Sequence, residues 1–194
     1  MTSKMPTKEV QQAYVAFADE VLNASKRELG TRRIGKNRNY GVATRTLQKS
    51  LKYRIRYGKF GISSIEMYAS GKAAKYANFV HWGVNGTRKR RGAPYSYTNK
   101  QPPTSAVMKW MKAKPVRLRD ENGKFVKQTP KKLRSAAFLI ARSIKRNGVP
   151  GVFYFEKGYN YAINKKKAIL EEAVAADVAS IISARLSNTS ISPK

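Results

Sequence analysis

Leu51, Tyr53, Ile55 and Tyr57 alternate with Lys52, Arg54 and Arg56. A period of two marks a β-strand covered on one face, because successive side chains leave opposite sides of the pleat. Gly58 and Gly61 punctuate a turn and "ISSIEMYAS" follows as the partner, so Leu51–Ala69 is predicted to form an antiparallel hairpin. One face of the first strand is aromatic and aliphatic. The other is wholly basic and reads as solvated. A lone hairpin is marginal in water, so other elements must cover its apolar face.

Helical spacing supplies those elements. Before the hairpin, Val10, Tyr14, Phe17 and Val21 share one face of a predicted helix over Lys8–Leu29, with Thr7 as N-cap and Gly30 as stop. "GTRRIGKNRNYG" reads as a loop and Thr44–Ser50 as a helical turn. After the hairpin, Gly83–Pro103 reads as an extended basic loop with a short strand at "APYSYT". Pro103 opens a helix carrying Ala106, Val107, Trp110 and Met111 on one side. "RLRDENGKFVKQT" is predicted to turn at Asn122–Gly123. Thr129 and Pro130 are the N-cap and first-turn proline of a helix with Leu133, Ala137, Ile140 and Ile144 in line, closed by Asn147–Gly148. "VPGVFYFEKG" reads as a short aromatic strand or an extended piece. Ala162–Leu186 reads as a long helix striped by Leu170, Val174, Val178 and Ile181, which Ile182 widens. The order of elements argues for the α+β class: a small antiparallel sheet packed with an N-terminal helix, two central helices and a long C-terminal helix. At 194 residues the chain suits one domain over 1–194, with a basic loop at about 83–103 and a polar tail at about 187–194.

Charge limits the partners. Forty Lys and Arg stand against eleven Asp and Glu, a formal charge of +29. Self-repulsion at that charge costs stability, so an anionic partner is expected: nucleic acid, an acidic protein surface or an anionic membrane. Between Glu28 and Asp120 the sole acid is Glu66, amid twenty-two basic residues. No apolar run nears the roughly twenty residues of a membrane span, and the N-terminus lacks the apolar stretch of a signal peptide, so no membrane partner is expected. The chain contains no cysteine, which excludes disulfides, thiolate metal sites and cysteine nucleophiles, and fits assembly in a reducing cytoplasm.

Catalytic constellations are weak. His81 is the one histidine and sits between Val80 and Trp82, where a packing role is the better reading. The adjacent acids Glu171 and Glu172 do not converge, since helical neighbours point about 100° apart, and Asp120–Glu121 precedes a turn, where solvated acids are routine. There is no nucleophile elbow, Walker loop or dinucleotide fingerprint. The expectation is a protein that is not an enzyme, with no cofactor and no metal. The basic run Arg88, Lys89, Arg90 and Arg91 is the stronger signal, with Tyr95 and Tyr97 near enough in sequence to stack on bases. DNA, an acidic protein surface and plain solvation all remain open for it. Val152, Phe153, Tyr154 and Phe155 are either core or an edge pairing with a neighbouring subunit.

Four features in order carry a resemblance. "TRTLQKSL" (Thr44–Leu51) is similar to a Thr-Gly-x-Leu-x-x-Ser segment before a strand, with Arg45 where glycine is usual. "KYANFVHWG" (Lys75–Gly83) is similar to a Tyr-Ala-x-x-Val-x-x-Gly stretch before a variable loop. "SIKRNGVPGVFYF" is similar to a helix, glycine and short aromatic strand, and a long C-terminal helix follows. Together they resemble the neck, or tail-completion, proteins of tailed bacteriophages. The resemblance implies a virion structural protein, made in the host cytoplasm, that forms a six- or twelve-fold ring around the DNA channel. It implies contacts with the connector (portal side) and with the tail tube or terminator, with Val152–Phe155 among the ring-contact candidates. A stand-alone basic nucleic-acid-binding protein is the alternative.

Overall fold

The computed structural model describes residues 8–31, 45–58, 61–113 and 116–187. The expected N-cap at Thr7, most of the first basic loop and the polar tail lie outside them. Among the described residues the elements run α1 (Lys8–Thr31), α2 (Thr46–Ser50), β1 (Leu51–Gly58), β2 (Gly61–Ala69), α3 (Ala74–Trp82), β3 (Gly83–Val84), α4 (Thr104–Ala113), α5 (Pro130–Asn147), β4 (Val149–Pro150) and α6 (Tyr154–Ser187). A 3-10 turn at Gly71–Ala73 leads into α3. Helices dominate and the two sheets are antiparallel pairs, so the class is α+β as expected. The chain divides into two compact units: the first holds Met1–Glu28, Leu51–Ser70 and Tyr154–Lys194, the second Leu29–Ser50 and Gly71–Phe153.

In the first unit, β1 and β2 pair from Leu51↔Ala69 to Gly58↔Gly61. Leu51 is buried, Tyr53 and Ile55 are half-buried, and Lys52, Arg54 and Arg56 are exposed, so the period-two reading holds to Ile55. Tyr57 departs from it and is exposed, because the register shifts between Arg56 and Tyr57 and turns the strand end away. Glu66, the lone acid of the basic middle, pairs with Arg56 at 2.7 Å. Phe17 and Val21 of α1 and Ala162 of α6 form the core of this unit, with Ile65, Met67, Ile163 and Leu170 packed around it. Burial first, and the neighbouring Asp19 second, raise the pKa of the Tyr53 hydroxyl.

α6 begins eight residues earlier than the stripe predicts. Gly158 lies inside it although glycine weakens a helix interior by about 1 kcal/mol relative to alanine. The compensation is close approach: a Cβ on Gly158 would collide with the Ser25 hydroxyl and the Val21 carbonyl of α1. The Ser25 hydroxyl donates to that same carbonyl at 2.7 Å. Gly30, expected as a stop, is likewise inside α1.

In the second unit, α4 packs on α5 through Val107, Met111, Ala137 and Ala141, and the two alanines are fully buried. Such small side chains let helix backbones approach closely. Thr129 caps α5 as predicted, its hydroxyl accepting from the Lys132 N–H at 3.3 Å, and Gly148 ends the helix at φ 66. Asn122–Gly123 forms the predicted turn, with Arg119 bridged to Phe125 across it. Arg117 and Arg119 place their guanidiniums 5.5 and 4.1 Å from the Phe125 ring centre.

The aromatic strand expected at "VFYF" is corrected. The strand is Val149–Pro150, and the N–H groups of Val152 and Phe153 turn to the carbonyls of Val80 and His81, at 3.0 and 2.9 Å, at the end of α3. Phe153 then takes φ 53 and α6 starts at Tyr154. A four-residue apolar run fits a strand or a helix start equally well by pattern; what decided was that the donors were needed at the end of α3.

Candidate anion-binding face

Two Gly-x-x-Gly segments build the site. "GVNG" (Gly83–Gly86) runs antiparallel to "GVPG" (Gly148–Gly151), with Gly83 opposite Pro150 and Val84 opposite Val149. A Cβ on Gly83, Gly86 or Gly148 would overlap backbone atoms of the facing segment, and one on Gly151 the carbonyls of His81 and Trp82 at the end of α3. Gly83 and Gly148 also hold positive φ, at 81 and 66. The contact is backbone on backbone, which only glycine permits.

That pairing delivers the basic loop to the C-terminus of α5. The Thr87 N–H donates to the Lys145 carbonyl at 2.9 Å, Arg88 N–H to the Arg146 carbonyl at 2.9 Å, and the Arg91 Nε to the Asn147 carbonyl at 2.9 Å. These carbonyls have no partner within the helix, and they carry the negative end of its dipole. A basic loop is therefore electrostatically suited to close this end.

Asn85 organises the loop. Its Nδ2 donates to the Ala93 carbonyl at 2.6 Å and to the Ser96 hydroxyl at 3.1 Å. Its Oδ1 accepts from the N–H groups of Arg91 at 2.6 Å and Ala93 at 3.1 Å. Its backbone exchanges hydrogen bonds with Tyr95 and Tyr97. Residues 86–97 are thus wrapped around one buried amide. In place of the "APYSYT" strand there is a single parallel bridge from Ser96 to Asn85.

Arg88, Lys89 and Arg90 are exposed, and Arg91 is half-buried on α5. The positive charges of Arg142 and, next, Arg88 push the Arg146 guanidinium below its ordinary pKa, with burial adding to the effect. Three guanidiniums from two segments therefore crowd one face, and no ion pair among the described residues relieves them. The five ion pairs among the described residues all belong to the first unit. The second unit holds twenty-six of the forty basic residues and two of the eleven acids, Asp120 and Glu121.

Tyr95 packs on Phe79 with ring centres 4.5 Å apart, and burial raises the pKa of the Tyr97 hydroxyl. Both support the loop from below. His81 is buried among Trp82 and Phe153, ring centres 4.7 and 5.9 Å away. Val152 and Tyr154 are buried, while Phe153 and Phe155 are half-buried. Sequence reading found the four loop cations but missed Arg142 and Arg146, which lie on the outer face of α5; their spacing of four residues was the available signal.

No family model, curated protein or solved structure matches this chain.

Proposed function

We propose that this chain is a structural subunit of a tailed-phage neck, assembling with copies of itself between the connector and the tail. The observation that carries the reading is the backbone at Arg45. In the segment that resembles the neck family, glycine is usual at this position, and Arg45 here has φ 51, in the left-handed region that glycine favours. A backbone conformation that favours glycine thus stands at the position where the resembling segment has glycine. The order of elements, from α1 through the hairpin to the long α6, supports the same reading.

Charge supplies the partner chemistry. A basic second unit suits DNA in the channel or an acidic rim of an adjoining ring. The test is negative-stain microscopy of the chain with the connector of its own phage, together with protein analysis of purified virions. Rings seated on the connector, and the chain in the virion, are expected. A chain absent from virions and indifferent to the connector overturns the reading.

The crowding of Arg88, Arg142 and Arg146 favours a second reading, a stand-alone nucleic-acid-binding protein. It requires tight DNA binding with a steep salt dependence by the chain alone, without connector docking.

A further inference from the structure

The outer face of α5 is not uniformly basic. Between Arg134 and Arg142 it exposes Phe138 at 45% and Leu139 at 61%. With Thr104 and Ser135 these side chains line an open groove of about 510 Å³. A phosphate backbone has no use for two exposed apolar side chains between cations. An amphipathic helix that is apolar along its centre and acidic at its edge satisfies both parts of the surface.

The end of α6 is such a helix. In the last four turns of α6, Val174, Val178 and Ile182 are exposed at 40%, 49% and 53%. They recur every fourth residue, so they form one stripe. Glu171 lies in line with them by helical spacing and Asp177 flanks them. Glu171 meets Lys167 at 3.6 Å, but both are well exposed, so that pair holds little energy and yields readily to another cation. In a chain of +29 this stretch brings exposed apolar and acidic residues together.

We propose that the end of α6 from a second copy of this chain docks in the Phe138–Leu139 groove, with its acids toward Arg134 and Arg142. The inference rests on the self-assembly part of the reading above and names the surfaces that assemble. Stripe and groove are different surfaces, so the interface is heterologous: each copy donates one helix and accepts another, giving a ring if the rotation closes and an open chain if it does not.

A mixing experiment with full-length protein tests this, read by sedimentation velocity. Wild type associates beyond the dimer, and raised salt weakens the association. Val178→Asp lacks a working stripe and Leu139→Asp a working groove, so each alone is monomeric. Mixed in equal amounts they retain one good stripe and one good groove, and form a two-chain species and nothing larger. All altered side chains are exposed, so the helical circular-dichroism signal persists; Val178→Ser and Leu139→Ser shift the same equilibrium less far. A monomeric wild type at every concentration overturns the proposal. So does a mixture that stays monomeric, or a Leu139→Asp protein that associates like wild type, which would mean that α6 pairs with itself. Connector docking by a monomeric wild type sinks this interface and spares the neck reading. Mixing behaviour as described, without connector docking, does the reverse.

Discussion

Gly86 lies against the Arg146 carbonyl so closely that a Cβ on Gly86 would overlap the oxygen. This contact seats the basic loop on α5. Gly86→Ala is expected to lower the unfolding free energy by about 2 to 3 kcal/mol, as overpacking against a backbone that cannot retreat does. Gly92→Ala is the control: Gly92 has φ 68 but nothing within 4 Å of its Cβ direction, so only the backbone strain of about 1 kcal/mol remains. Urea unfolding of both variants checks the difference, and equal losses would count against the close packing.

Asn85→Ala removes four hydrogen bonds from its side chain and leaves partly buried backbone donors at Arg91 and Ala93 unpaired. A loss of about 2 to 4 kcal/mol is expected. Hydrogen exchange localises it: the amides of residues 91 and 93 should lose protection while those of α6 keep theirs.

Arg146→Ser should weaken binding to a DNA oligonucleotide and reduce the slope of log affinity against log salt by about 0.9, one phosphate contact. The fold should not suffer, because the change relieves repulsion with Arg142 and Arg88. Fluorescence anisotropy over a salt series measures the slope. An unchanged slope would place DNA elsewhere.

Arg45→Gly should stabilise the chain by about 0.5 to 1 kcal/mol. A left-handed non-glycine residue costs about 1 to 2 kcal/mol, and the greater freedom of glycine in the unfolded chain returns part of the gain. Thermal unfolding of the pair of proteins decides it, and a destabilised variant would mean that the Arg45 side chain contributes more than the strain costs.

Burial pushes the Tyr154 hydroxyl up to about 12. The folded state therefore favours the neutral phenol, while the unfolded chain ionises near 10. The stabilising contribution is fully present below pH 10 and is lost as pH rises toward 12. Tyr154→Phe should flatten this part of the stability profile, and denaturant unfolding at several pH values compares the two. Parallel profiles would show that Tyr154 ionises as readily in the folded chain.

Local pattern was enough for much of the chain. The alternation from Leu51 to Ile55, the Thr129–Pro130 start of α5 and its glycine stop depend on neighbours a few residues away, and the structure has them where expected. The α+β class follows from their order. What failed depended on distant partners. "VFYF" reads as a strand until the carbonyls of Val80 and His81 claim its N–H groups. The start of α6 at Tyr154, eight residues before the stripe predicts, carries Gly158 through the helix because α1 lies against it. The two Gly-x-x-Gly segments are sixty-odd residues apart, and neither shows by itself that it faces the other. Composition by itself determined the excess of positive charge, +29. Only the tertiary structure decided where that charge concentrates, because cations far apart in the chain crowd one another once glycine lets two backbones touch.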